Sequence, residues 1–187
     1  VEGNKYMDFM AGYSVVGQGH AHPKILRVLS EQAAKLAMVS RSFYDDQIGR
    51  FCAKVCEVTG KSRVLPMNTG VEAAETAIKA ARRWAYRIKG VPDNQAEIIV
   101  CEGVTTTSCS SKEDYKEGFG PLTPGFTIVP YGDAESLERA IGPNTAAFMV
   151  EPIQGEAGVR IPPGGYLREA RRICYENRVL MIADEIH

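Results

Sequence analysis

Neither sign of charge dominates this sequence. Its 22 lysines and arginines face 23 aspartates and glutamates, a formal net charge of −1. Neither a nucleic acid nor an anionic membrane surface is therefore an expected partner. Long hydrophobic runs are missing too, and none approaches the roughly 18 residues that a membrane helix needs. No leader with a basic start and an apolar stretch is visible, although the chain opens on Val1. A metal-ligand cluster is lacking. His20 and His22 make a His-x-His pair, but no acid or cysteine close in sequence completes a site, and no metal is expected.

Cysteine is present without a disulfide pattern. The five residues, Cys52, Cys56, Cys101, Cys109 and Cys174, are odd in number, and several fall on apolar faces. Cys52 and Cys56 stand one helical turn apart, which suits neither a zinc knuckle nor an ordinary disulfide. The cysteines read as reduced thiols of an intracellular protein. A redox role for Cys52 and Cys56 is the alternative.

What is present is enough for one domain with a sizeable core: 187 residues, 44% hydrophobic and 24% charged. The chain is organised around the stretch from Leu65 to Ala85. Arg63–Met67 reads as a buried strand that runs through a sharp turn, Asn68-Thr69-Gly70, into a long helix. Val71, Ala74, Ile78, Ala81, Ala85 and Ile88 recur at the period of one helical face. Thr69 and Glu72 have the spacing of a capping box, and Glu75 and Lys79 that of an i,i+4 pair. Gly70 lets the backbone come close to a ligand above the turn. Free amides at such a helix start, backed by the helix dipole, suit an anion, phosphate above all.

Residues 1–9 read as a short strand or hairpin, and 11–20 as a glycine-rich loop. Pro23 opens a helix carrying Ile25, Val28, Leu29, Ala33 and Leu36. A second helix begins near Asp46, with Ile48, Phe51, Cys52 and Val55 inward and Gly60 as its stop. Beyond the central helix the pattern becomes a run of βα units. Strands are expected at 97–101, 127–130, 146–150 and 179–183. A short helix capped by Asp133 and a longer one over 165–177 separate them. Strands apolar on both faces, alternating with helices, imply a parallel sheet covered on both sides.

In such sheets ligands sit beyond the carboxyl ends of the strands. Three polar groups fall there: Asn68-Thr69-Gly70, the run from Glu151 to Glu156, and Asp184-Glu185. A phosphate-capable turn and several carboxylates should therefore share one rim.

The same residues resemble the pyridoxal-phosphate-dependent aminotransferases of fold type I, class III. The marks are Tyr13-Ser14-Val15-Val16 with Gln18-Gly19-His20, Ser40-Arg41-Ser42-Phe43, Met67 to Ala73, Arg82-Arg83-Trp84, Gly118-Phe119-Gly120-Pro121, Glu151 to Gly158, and Ala183-Asp184-Glu185-Ile186. The resemblance implies the family's large domain, a mostly parallel sheet with helices on both faces, and pyridoxal 5'-phosphate as cofactor. Residues 1–60 would lead into that domain, 61–187 would form its first part, and a C-terminal domain would follow. Thr69, Gly70 and Val71 would hold the cofactor phosphate. Asp184 would pair with the pyridinium nitrogen and keep it protonated.

Within the family the likeness is strongest to members acting on ornithine. They pass its terminal amine to 2-oxoglutarate and give glutamate semialdehyde and glutamate. Tyr13 resembles the tyrosine that selects this donor. Glu156 resembles a gate glutamate that pairs with an arginine downstream when ornithine binds and releases it for a dicarboxylate. Glu151 reads as support for the rim. Acetylornithine and 4-aminobutyrate are the alternative donors, and a non-catalytic relative is the rival class. The family also implies a homodimer. Cytoplasm is the expected compartment, with the mitochondrial matrix as the alternative.

Three departures from the family pattern stand out. No lysine here occupies the place of the family's Schiff-base lysine, which belongs beyond Asp184. After Cys101-Glu102-Gly103 the family carries an aromatic that stacks on the cofactor and an arginine that holds the substrate carboxylate; Val104-Thr105-Thr106-Thr107 follows here instead. His187 stands where the family usually has Gln, and Gly17 replaces a common Asn.

Overall fold

A computed structural model describes residues 2–12, 15–40, 42–104, 114, 116–155 and 157–185. The chain divides into two compact units, Val1–Pro66 and Met67–His187.

Among the described residues the first unit holds two helices, α1 (Pro23–Lys35) and α2 (Ile48–Thr59). Pro23 sits in the first turn of α1, where its missing N–H costs nothing. Lys35 pairs with Asp46, and the Gln32 amide bonds the Leu36 carbonyl at 3.2 Å and Asp46 at 3.3 Å. These contacts tie the end of α1 to the approach of α2. The Asp45 carboxylate takes the amides of Gln47 and Ile48 at 2.6 and 2.7 Å, and Gly60 ends α2.

Two expectations fail in this unit. Residues 2–9 form turns and extended chain, with no strand among them; Tyr6, Met7 and Phe9 have no sheet to lie on and stay exposed. The apolar faces of α1 and α2 are not buried either. Ile25, Val28 and Leu29, and likewise Ile48 and Phe51, are exposed, since none of the unit's described residues covers those stripes.

The second unit opens on α3 (Gly70–Trp84), followed by one wide turn of π-helix over Ala85–Lys89. Then come β1 (Glu97–Cys101), β2 (Phe126–Val129), α4 (Ala134–Ala140), β3 (Thr145–Val150), α5 (Tyr166–Glu176) and β4 (Leu180–Ala183). The four strands form one sheet in the order β2-β1-β3-β4, every pair parallel. Strand side chains alternate between faces, and the core splits accordingly. Ile98, Val100, Ala147 and Met149 meet Ala81 and Ala85 on one face. Ile99, Cys101, Phe148 and Val150 meet Leu137, Ala170 and Ile173 on the other. β3 is buried at all six positions. A wholly buried side chain such as Phe148 contributes about 1.5–3 kcal/mol.

The expected strand at 63–67 is extended chain without strand pairing. A strand needs a neighbour, and the described sheet offers this segment none. The stripe on α3 also ends early. Ala81 and Ala85 are buried, but Ile88 is 65% exposed. The amides of Gly90 and Val91 both reach back to the Ala85 carbonyl, at 2.9 and 3.0 Å. That wider turn rotates Ile88 off the face that a regular helix would give it. Arg82 and Lys89 anchor this segment. The Arg82 guanidinium donates to the Pro124 carbonyl at 2.6 Å and lies over the Phe126 ring, 5.2 Å from its centroid. The Lys89 ammonium donates to the Thr145 carbonyl at 2.6 Å.

Candidate functional site at the carboxyl ends of the strands

The strand order fixes where a ligand crevice opens. β1 is followed in sequence by its neighbour on one side, β2, whereas β3 lies on its other side. The chain therefore reverses direction across the sheet between β1 and β3, and at such a point the outgoing loops diverge. Those loops begin at Glu102 and Glu151. The Lys89 contact to Thr145, the first residue of β3, puts the far end of α3 at the amino ends of the strands. Its 15 residues span about 22 Å against about 20 Å for a six-residue strand. The start of α3 thus lies at the carboxyl ends, on the same rim as the loops.

That start is built as its sequence predicts. The Thr69 hydroxyl accepts the Glu72 amide at 3.2 Å, and the Glu72 carboxylate accepts the amides of Thr69 and Asn68 at 3.0 and 2.9 Å. The box leaves Gly70 and Val71 at the first two helical positions, where no helical carbonyl precedes them. Asn68 through Val71 are exposed, and the capping box engages the amides of Asn68 and Thr69 but not those of Gly70 and Val71.

Asp184 directly follows β4. Its amide donates to the Val150 carbonyl at 2.9 Å, which extends the β3–β4 ladder by one step and fixes the residue at the rim. It is half-buried. Amides at a helix start suit a phosphate, and a half-buried carboxylate on the same rim suits a protonated ring nitrogen. This donor set fits pyridoxal 5'-phosphate.

The loop after β3 is tied down in several ways that the sequence did not announce. Gln154 and Arg160 exchange backbone hydrogen bonds at 3.0 Å in both directions, pairing as a small antiparallel bridge. The Gln154 side chain is fully buried and donates to the Glu102 carbonyl at 2.5 Å, so it spans the crevice between the exits of β1 and β3. Gly103 makes room for it. A Cβ there would lie 2.9 Å from the Ala157 Cβ and 3.0 Å from the Gln154 amide nitrogen. The Tyr131 hydroxyl lies 3.1 Å from the Glu151 carbonyl and 3.0 Å from that of Pro152. The Tyr131 ring stands edge-on to Tyr166, whose hydroxyl is 3.6 Å from the Cys101 sulfur. Burial pushes the Tyr131 hydroxyl above its ordinary value, with Cys101 and the Glu151 carboxylate adding to the rise. Burial likewise pushes the Cys101 thiol up to about 11. Both therefore stay protonated at neutral pH. The Glu151 carboxylate accepts the Gly155 amide at 3.3 Å, in keeping with a supporting place on the rim.

The structure thus brings Thr69, Gly70, Val71, Glu151 and Asp184 to one rim. Tyr13, Glu156 and His187 lie outside the described residues, as do Thr105–Thr107. The His20 ring nitrogen is 2.8 Å from the Asp8 carboxylate, and among the described residues no group of three or more ligating side chains could hold a metal. Among those residues, too, no helix is long and apolar enough to cross a membrane.

The comparisons with known proteins converge. The family model for class-III aminotransferases matches residues 1–187. An ornithine aminotransferase of Brevibacillus brevis is 60% identical over 191 residues, covering 99% of this chain and 48% of the relative. An ornithine aminotransferase of Toxoplasma gondii, crystallised with oxidised glutathione and described as showing partial occupancy of PLP at its active site, superposes with a TM-score of 0.94. It is 45% identical and matches 98% of this chain and 45% of its own. An acetylornithine aminotransferase of Elizabethkingia anophelis gives 0.85 at 50% identity, over 100% of this chain and 47% of its own. The chain spans about half the length of the curated relatives it matches.

Proposed function

The chain belongs to the class-III aminotransferase family, and from that premise we propose that the whole protein transfers the terminal amine of ornithine to 2-oxoglutarate, with pyridoxal 5'-phosphate as cofactor. The products are glutamate semialdehyde and glutamate. One observation carries the cofactor assignment: the capped start of α3 and Asp184 stand on the same rim, at the point where the strand order reverses. The choice of ornithine is supported by the 60% identity to the Brevibacillus enzyme.

The cofactor, when bound, supplies an electron sink for the carbanion formed at the substrate. The chain's own residues prepare that chemistry. The amides of Gly70 and Val71 bind the phosphate, with the dipole of α3 behind them, and the Thr69–Glu72 box keeps that first turn closed. The Asp184 carboxylate holds a proton on the ring nitrogen. Tyr13 hydrogen-bonds the polar end of the donor, and Glu156 distinguishes ornithine from a dicarboxylate by its charge. Donor and 2-oxo acid use the site in turn, and no lysine among residues 1–187 is assigned a catalytic part. The protein works as a homodimer in the cytoplasm.

The test is a steady-state comparison of ornithine, acetylornithine and 4-aminobutyrate as donors to the full-length protein loaded with cofactor. Ornithine should give the highest kcat/KM. A higher value for acetylornithine would move the protein to the specificity of the Elizabethkingia relative and refute the ornithine assignment.

A further inference from the structure

The contacts around the loop that follows β3 do more than fold it. Residues 151–160 carry Glu156 between two anchored flanks. On one side the Tyr131 hydroxyl reaches the carbonyls of Glu151 and Pro152, and at 3.4 Å that of Arg160. On the other the Gln154–Arg160 bridge closes the loop on itself. Between them the buried Gln154 amide crosses to the Glu102 carbonyl. The carbonyl oxygen of that amide is buried and has no hydrogen-bond partner among the described residues. Leaving such an acceptor unpaired is costly. An apolar side chain of similar length would avoid that cost and fill the same space. The amide therefore has to be accounted for by what its nitrogen does, which is to hold the exits of β1 and β3 at a fixed separation.

We propose that Tyr131 and Gln154 are positioning residues for donor recognition. Together they clamp the described residues of the 151–160 loop to the exit of β1, and so support donor recognition through the loop whose sequence carries Glu156. Neither touches the donor. The donor half of this inference rests on the function proposed above; the clamp itself does not. A loosened loop costs the donor step, in which Glu156 is engaged. It spares the 2-oxoglutarate step, in which Glu156 is not.

The experiment uses the full-length protein and two variants, Tyr131→Phe and Gln154→Met. The first removes one hydroxyl and keeps the ring against Tyr166. The second removes the amide at similar volume. Hydrogen exchange read by mass spectrometry should rise about five- to tenfold in peptides covering 151–160, as expected for losing one or two hydrogen bonds that hold a local opening shut. Peptides from β3 should be unchanged. In the same variants the KM for ornithine should rise about fivefold, while the KM for 2-oxoglutarate stays within about twofold. Unchanged exchange at 151–160 in both variants overturns the clamp, whatever the activity. Faster exchange with both KM values at wild-type levels overturns the positioning role. Wild-type protein that turns over none of the amines overturns the proposed function and the donor half of this inference, while exchange still decides the clamp.

Discussion

Alanine at Gly103, set beside alanine at Gly90, separates the cost of packing from that of backbone conformation. The two glycines share almost the same left-handed φ, +91° and +90°. Their surroundings differ. A Cβ on Gly90 meets no heavy atom within 4 Å. One on Gly103 would sit 2.9 Å from the Ala157 Cβ and 3.0 and 3.2 Å from the two terminal atoms of Gln154. None of these neighbours yields easily: Ala157 has no rotamer to change, and the Gln154 side chain is buried and bonded to the Glu102 carbonyl. Gly90→Ala should therefore cost only the left-handed strain, about 1–2 kcal/mol. Gly103→Ala adds overpacking of about 1–3 kcal/mol, for a total of about 2–5 kcal/mol. Urea unfolding of the full-length protein followed by circular dichroism measures both losses, with the slope against urea checking that the transition is unaltered. Equal losses for the two variants would refute the reasoning, since the close contacts around Gly103 would then carry no energy.

Asp184→Asn should retain cofactor but lose on the order of 100-fold or more in kcat, as expected when a preorganised charge beside the reacting system is removed; a rate within a few-fold of wild type would exclude the ring-nitrogen role. Lys89 has its ammonium disfavoured, first by burial and then by Arg178. The unfolded chain holds that proton more tightly, so stability should rise with pH from the lowered folded value up to the ordinary 10.5, and Lys89→Met should abolish that rise in unfolding midpoints measured across alkaline pH. Burial raises the thiols of Cys101 and Cys174 to about 11. Both should resist a thiol-reactive dye at pH 8 in the native protein and react after unfolding, and rapid native labelling of Cys101 would contradict its packing beneath Tyr166.

Much of the second unit was legible because its signals are local. A run such as Thr145–Val150 is apolar at nearly every position, which only a doubly covered strand explains. The Thr69–Glu72 box and the Asp133 cap are read from spacing alone, and both form. The failures arise where the outcome depends on a partner. Arg63–Met67 has strand composition but no neighbour to pair with. The stripes of α1 and α2 have the right period, but none of their own unit's described residues covers them. The turn at Ala85–Lys89 widens although its sequence continues a helical pattern, because the Lys89 contact and the path into β1 fix its end. At the site, the rim could be predicted from strand polarity. The buried crossing of Gln154 could not, since a glutamine in a loop carries no sign of which carbonyl it will meet fifty residues away.

The strand order has a consequence for how the chain is made. Val100 in β1 is flanked by Ile128 on one side and Met149 on the other, so its second neighbour is synthesised roughly fifty residues after it. At ribosomal speeds of about 5–20 residues per second, β1 spends roughly 3–10 s with at least one edge open. Over that interval α3 is already complete and lies directly upstream. The helix that later presents amides to a ligand is thus also the first element able to shield Ile98 and Val100, and a weakened capping box should lower the yield of soluble nascent protein.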